Sequence, residues 1–169
     1  AYFRDEVAGP FGVDFFIGTP ESEDHRVAEL ALPQEGSILG GVAGAALAID
    51  PAAIERYDDP SLLVPRTLNS IPWRRAQIPG ANGHASARGL ARAYGALAHD
   101  EGLLRRATIE LARTPQVHGP DLTRNEVTEF GLGFHTAGAA TSYRIGPGSF
   151  GHGGAYGSLG LADPEAGVG

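Results

Sequence analysis

The sequence has 169 residues, the length of a single domain. Hydrophobic residues make up 42% and charged residues 20%, a balance that supports a buried core and excludes an intrinsically disordered chain. The net charge of −7 argues against a protein that binds nucleic acid or anionic membranes. No apolar run has transmembrane length and no signal peptide is visible at Ala1, which favours a cytoplasmic location.

Residue types that carry chemistry in many enzymes are missing. There is no Cys, which excludes a disulfide framework, a thiolate metal site and a cysteine nucleophile. All 13 basic residues are Arg, so these residues hold no lysine general base and no Schiff-base lysine. Met is also missing, which fits a chain that begins within a larger protein.

The first part of the chain predicts short helices and irregular segments. Residues 1–8 have the pattern of a helix end that a Gly-Pro pair stops, and residues 11–17 are aromatic and extended. Residues 38–49 fit either a buried small-residue helix or a tightly packed irregular segment, and residues 51–57 predict one or two helical turns. Residues 58–81 contain four prolines and predict a long ordered loop.

The middle of the chain predicts two amphipathic helices. Residues 84–99 carry apolar side chains at helical spacing, with Ser86 as a candidate N-cap. Residues 103–113 predict a second helix that Thr114-Pro115 ends.

Apart from residues 11–17, which have strand or extended character, strands are predicted late in the sequence. Residues 130–135 predict one strand, and residues 150–169 predict two strands joined by a turn at Asp163-Pro164-Glu165. Helices followed by strands indicate an α+β domain with a mostly antiparallel sheet. A sheet of two or three strands is marginal by itself, which suggests an incomplete domain.

Most standard catalytic constellations are missing from the sequence. The six His are scattered without an i, i+4 pair, so no metal is expected. A phosphate loop needs a Lys, and the nucleophile elbow Gly-x-Ser-x-Gly does not occur. No pair of carboxylates stands out as a glycosidase site, and no cofactor is expected.

Three segments are unusual: residues 73–84, 130–135 and 151–158. The last is rich in Gly within a strand-like stretch. Glycine weakens a strand, so such a cluster indicates a bulge or a ligand that lies against the backbone. The alternative is a glycine-rich hairpin with a solvated His152.

Three stretches, residues 2–12, 78–92 and 150–164, together resemble the serine β-lactamase/penicillin-binding-protein-like family, in particular the class C β-lactamase-related esterases. The resemblance implies a β-lactamase/transpeptidase-like fold, an antiparallel sheet with flanking helices. It also implies that residues 1–169 form only the C-terminal part of the domain. The nucleophile region is expected upstream, and the family's last strand and helix are expected after Gly169.

The resemblance also implies site residues. The family carries the motifs Ser-x-x-Lys, Tyr-x-Asn and Lys-Thr-Gly or His-x-Gly, and His152-Gly153-Gly154 resembles the third. The first two motifs are absent here. By analogy, the backbone N–H of Ala155 contributes to the oxyanion hole, and His152, Gly153 and Gly154 bind substrate. Trp73 either walls the acyl pocket or is a plain packing aromatic.

The leading hypothesis is a serine hydrolase that cleaves a small-molecule ester or amide through an acyl-serine, without metal or cofactor. His152 in place of Lys makes neutral esters better candidate substrates than carboxylate-bearing β-lactams. This chain alone is expected to be inactive. The alternatives are a non-catalytic binding or scaffold relic of the family and a cell-wall transpeptidase or carboxypeptidase. Asn82 and His84 are expected to cap the helix and fix the loop before it.

Overall fold

The computed structural model describes residues 2–31, 65–99, 102–121, 126–136, 146–154 and 157–169. The segments 38–49 and 51–57, for which helical structure was considered, lie outside the described residues.

The N-terminal residues form short elements around a two-stranded ladder. A π-helical turn, Arg4–Ala8, confirms the predicted helix end. Strand β1, Phe15–Ile17, lies in the predicted extended segment and is followed by a 3₁₀ helix, Glu21–Arg26. Strand β1 pairs antiparallel with β2, Gly83–Ala85, so that the N-terminal residues and the start of the long helix are held together.

The prediction of a loop over residues 58–81 is wrong for residues 65–75 and confirmed for residues 76–81, while residues 58–64 lie outside the described part of the chain. This segment contains helices α1, Pro65–Leu68, and α2, Ile71–Arg75. The Ser70 side chain accepts a hydrogen bond from the backbone N–H of Trp73, and a proline occupies the first turn of α2. Proline is tolerated there because the first N–H groups of a helix have no intrahelical partner, so a proline-rich composition did not exclude a helix.

The two amphipathic helices are confirmed, with later starts. Helix α3 is Ala87–Ala98, and the Ser86 side chain accepts a hydrogen bond from the N–H of Gly89, as predicted for an N-cap. His84 belongs to β2 and not to the helix. Helix α4 is Arg106–Arg113, and it ends at Thr114 as predicted.

The late part of the chain forms a five-stranded antiparallel sheet with the strands in sequence order. Its strands are β3, Val117–Asp121; β4, Glu126–Phe130; β5, His135–Thr136; β6, Phe150–Gly153; and β7, Leu159–Ala162. The sheet thus exceeds the two or three strands predicted. Strand β3 was not predicted because Gly and Pro, which are unfavourable in strands, occupy its centre.

Two predicted strand boundaries are corrected. Phe130 and His135, predicted as the ends of one strand, pair with each other across a turn between β4 and β5. The turn between β6 and β7 lies between Gly153 and Leu159, not at Asp163. Asp163 instead follows β7, and its Oδ1 accepts hydrogen bonds from the N–H groups of Glu165 and Ala166.

Helix α3 covers one face of the sheet at β7. The buried cluster contains residues of α3, α4, β6 and β7: Leu97, Ala98, Ile109, Phe150 and Ala162. A side chain at Gly160 would collide with the Tyr94 ring, so glycine is needed for α3 to approach β7 this closely. The arrangement fixes β6, the neighbour of β7, relative to the helices.

Candidate active site

His152 and Gly153 of the third motif lie on β6 and Gly154 follows the strand, with the His152 side chain exposed. Its Nδ1 lies 2.6 Å from the carbonyl oxygen of Gly153. A carbonyl oxygen only accepts hydrogen bonds, so Nδ1 carries a proton in this geometry. In the neutral ring, Nε2 is then a hydrogen-bond acceptor, and in the protonated ring it is a donor. His152 can therefore present either function to a bound molecule.

The rings of buried His135 and half-buried Phe130 lie beside His152. The ring of His135 is 4.9 Å from that of His152 and 4.0 Å from that of Phe130, measured between centroids. His135 is 6% exposed. Antiparallel pairing places it opposite Phe130 on one side and Gly151 on the other. The exposed imidazole thus contacts a pair of rings contributed by β4 and β5.

Two glycines near the third motif, Gly151 and Gly154, permit other residues of the β6–β7 hairpin to come close. A side chain at Gly151 would collide with the carbonyl oxygen of Gly160 and with Leu161, and one at Gly154 would collide with Ser158. The N–H of Gly154 donates to the carbonyl oxygen of Ser158 at 2.7 Å. At these two positions the close partner is the hairpin itself, which agrees with the glycine-rich hairpin considered from the sequence.

All of the predicted site roles, including substrate binding by His152, Gly153 and Gly154, stay predictions. Ala155, whose N–H is predicted to bind the oxyanion, lies outside the described residues. Trp73 lies half-buried on α2. Among the described residues no hydrogen bond or ring contact joins Trp73 to β6, and its backbone is bound by Ser70 and Asn82.

Asn82 fixes the loop between α2 and β2, as the sequence predicted. It is 1% exposed, its Oδ1 accepts from the N–H of Ile78 at 3.0 Å, and its Nδ2 donates to the carbonyl oxygens of Trp73 and Ala76. The predicted capping of α3 by Asn82 or His84 is wrong, because Ser86 is the N-cap.

Polar groups also lie on the β4–β5 side of the sheet. The carboxylate of Glu129 accepts a hydrogen bond from the Thr136 hydroxyl and lies 3.2 Å from Nδ1 of His118.

Within the described ranges no group of three or more His, Asp or Glu side chains could hold a metal ion. No described helix has the length and apolar character needed to cross a bilayer.

Sequence reasoning missed the contribution of His135 and Phe130. The segment 130–135 was recognised as unusual, but as a single strand it would have placed these two rings far apart. The pattern Gly-Leu-Gly between them, with φ of 83° at Gly133, is the signal of a turn that brings both rings to one place.

Comparison with known proteins gives consistent results. A family model described as Beta-lactamase matches residues 1–169. The chain is similar to the esterase/beta-lactamase LipL of Mycobacterium tuberculosis, with 34% identity over 184 aligned positions. This alignment covers 98% of the chain and 40% of LipL, so the chain spans well under half the length of this relative.

Solved structures share the fold at similar identity. A penicillin-binding protein homolog from Caulobacter crescentus superposes with a TM-score of 0.74 at 35% identity, covering 99% of this chain and 44% of that one. A family VIII carboxylesterase gives a TM-score of 0.77 at 32% identity, covering 98% and 42% of the two chains. The β-lactamase/transpeptidase-like fold inferred from the sequence is thereby confirmed.

Proposed function

This chain belongs to the Beta-lactamase family, and on that premise we propose that its protein is a serine hydrolase that cleaves an ester or amide through an acyl-serine intermediate. The chain supplies the third-motif strand β6 and one wall of the site. The observation that supports this role best is the exposed imidazole of His152 at the end of β6, in the sequence His-Gly-Gly. Residues 1–169 contain no Lys, so in this proposal residues outside this sequence contribute the family's Ser-x-x-Lys pair.

In the proposed reaction the serine hydroxyl attacks the carbonyl carbon while a neighbouring base takes its proton. The carbonyl oxygen becomes negative, and the N–H of Ala155 donates a hydrogen bond to it together with the N–H of the nucleophile. Loss of one such donor costs on the order of 10²–10³ in rate. The bond to the leaving group then breaks, the leaving group takes the proton, and water hydrolyses the acyl-serine.

His152 binds the substrate beside the oxyanion site. Its Nδ1 is engaged by the Gly153 carbonyl, so Nε2 is the atom that can reach the substrate. Unlike a lysine, an imidazole carries no fixed positive charge to attract a substrate carboxylate, so His152 favours substrates that lack one. The similarity to a family VIII carboxylesterase supports ester substrates.

The test uses the protein that carries this sequence, a fluorophosphonate probe and intact-mass measurement. We expect one serine outside residues 1–169 to be labelled and hydrolysis of a p-nitrophenyl ester to stop at the same stoichiometry. Labelling of a serine within these residues would contradict the proposal. A protein with neither labelling nor turnover would instead support a non-catalytic relic.

A further inference from the structure

Helix α4 has a buried side and an exposed apolar side. Ile109 and Ala112 are buried on the side that faces the core. Leu111 lies almost opposite Ile109, because residues two apart in a helix are about 200° apart, and it is 55% exposed. Ala107, one turn before Leu111 on the same face, is exposed as well. The outer side of α4 therefore presents apolar groups to solvent.

Two further leucines extend this exposed side at the ends of the helix. Leu132, in the turn between β4 and β5, is 52% exposed, and its N–H donates to the carbonyl oxygen of Ala112 at 2.9 Å. This bond holds the turn against the C-terminal end of α4. Leu104 is also exposed and lies just before Arg105, the N-cap residue. We call this set the α4 surface: Leu104, Ala107, Leu111 and Leu132. Exposed apolar groups that lie together indicate a contact surface.

The charges beside the α4 surface are balanced. Nε of Arg106 donates to the Glu110 carboxylate at 2.9 Å, and these side chains are 58% and 41% exposed. Arg113 also donates to Glu110 and lies 3.8 Å from Glu165. Among the described residues, this flank of α4 thus carries two guanidiniums and two carboxylates. It favours neither a strongly acidic nor a strongly basic partner.

We propose that the α4 surface binds the α4 surface of a second copy of this chain, with the two helices antiparallel about a two-fold axis near Thr108. Such an axis makes each flank of the helix face the same flank of the other copy. Arg106 and Glu110 each lie two residues from Thr108, on opposite sides. Arg106 of one copy therefore faces Glu110 of the other, and the reverse contact forms as well.

The apolar groups match under the same symmetry. Leu104 and Leu111 lie on opposite sides of Thr108, four and three residues away, so Leu104 of one copy meets Leu111 of the other. Ala107 lies next to the axis, where its small side chain lets the two helices come close. A parallel pairing would instead place Arg106 beside Arg106, and like charges repel. The charge pattern thus selects the antiparallel arrangement.

The expected dimer is weak. Helix α4 has 8 residues and is about 12 Å long, so the contact is at the small end of the range for protein interfaces. We expect a dissociation constant on the order of 10–100 µM. This association goes beyond the proposed hydrolase activity, and its test needs no turnover.

The first experiment is analytical ultracentrifugation of the protein that carries this sequence, from about 1 µM to about 500 µM. The mean mass should rise towards that of a dimer. Leu111→Ser should weaken association about tenfold or more, because each dimer buries this leucine twice. Ile71→Ser is the matched control, since Ile71 is 49% exposed but lies on α2, and it should leave the dissociation constant unchanged.

A charge exchange tests which surfaces meet. Arg106→Glu and Glu110→Arg each give this flank of α4 like charges, so each variant alone should associate about five- to tenfold more weakly. An equimolar mixture of the two should recover dimers, because opposite charges then face each other across the axis.

Three results would overturn the proposal, each in variants shown to be folded by circular dichroism. The first is a monomeric protein over the whole concentration range. The second is equal association of Leu111→Ser and Ile71→Ser, which would place the dimer contact elsewhere. The third is a mixture of the two charge variants that associates no better than either variant alone.

Discussion

The two ring nitrogens of His152 have different environments, and this difference defines what the residue can do. Nδ1 is bound to the next residue's carbonyl oxygen, while Nε2 is available. The ring itself contacts the ring of His135, which in turn contacts the ring of Phe130, both at a tilt. We therefore expect the orientation of the His152 ring to depend on this buried neighbour, with His135 as a positioning residue.

Replacement of His135 tests this dependence. His135→Ala removes the ring behind His152 and should lower kcat/KM for ester hydrolysis about 10- to 100-fold, because small misplacements at a reacting centre are costly. His135→Phe keeps a flat ring and should restore most of the activity. A neighbouring ring shifts the NMR resonances of the His152 ring protons. These resonances should therefore move more in His135→Ala than in His135→Phe.

His118→Ala is the matched control, as His118 lies on the same sheet but contacts Glu129 and not His152. It should leave the ring-proton resonances of His152 in place. An unchanged spectrum in His135→Ala would contradict the positioning role whether or not the protein hydrolyses esters.

At the scale of the elements, the helices with a strong local sequence pattern are the ones that the sequence predicts. The apolar spacing of α3 and its Ser86 cap are strong local patterns, and both are confirmed. Helix α2 and strand β3 were missed because their prolines argue against regular structure by composition alone. Pro72 lies in a first helical turn and Pro120 lies on a strand with one described partner, positions where the missing N–H is tolerated.

The contact between α3 and β7 gives an element-scale prediction. Gly160→Ala should place a methyl group in the Tyr94 ring and lower the free energy of unfolding by about 1–3 kcal/mol, the usual cost of overpacking. Chemical denaturation measures this change. Gly80→Ala is the control, because no described atom lies within 4 Å of the position that a Cβ would take there. An equal loss of stability in both variants would contradict the proposed close packing.

At the scale of the whole molecule, distant parts of the chain are joined by ion pairs. Arg75 on α2 donates to both carboxylate oxygens of Asp24, at 2.8 and 2.5 Å, and also to the carbonyl oxygen of Thr19. The hydrogen bond from Arg75 lowers the pKa of Asp24 below its usual value. The hydrogen bond from Arg26 similarly lowers the pKa of Asp14.

These shifts predict acid sensitivity. A carboxyl whose pKa is lower in the folded state stabilises the protein above its unfolded pKa of about 4, and this stabilisation is lost as the pH falls through the folded value. The melting temperature should therefore drop between about pH 5 and pH 2.5. Asp24→Asn should lower it at pH 7 and flatten the drop, whereas Glu29→Gln, at an exposed residue, should reproduce the original curve. Parallel curves for all three proteins would contradict the role of the Asp24 pair.

Only the part of the candidate site that lies within one short sequence motif could be predicted from the sequence. His152 was identified because His-Gly-Gly is a local pattern. The contact between the His135 and His152 rings depends on pairing between different strands, and the β1–β2 ladder joins residues 15–17 to residues 83–85. Such proximity is set by chain topology, which spacing along the sequence does not encode.

Strand β3 has a consequence for how the sheet can be extended. This strand is the first in the strand order and so lies at an edge of the described sheet. Within it, Gly119 has a φ of 152° and Pro120 offers no N–H donor. A polypeptide laid along this edge would meet an interrupted row of hydrogen-bonding groups. Strand β7, at the other end of the order, has no proline. The two edges of the sheet therefore differ. A further strand, from the same protein or from another, should pair more readily with β7 than with β3.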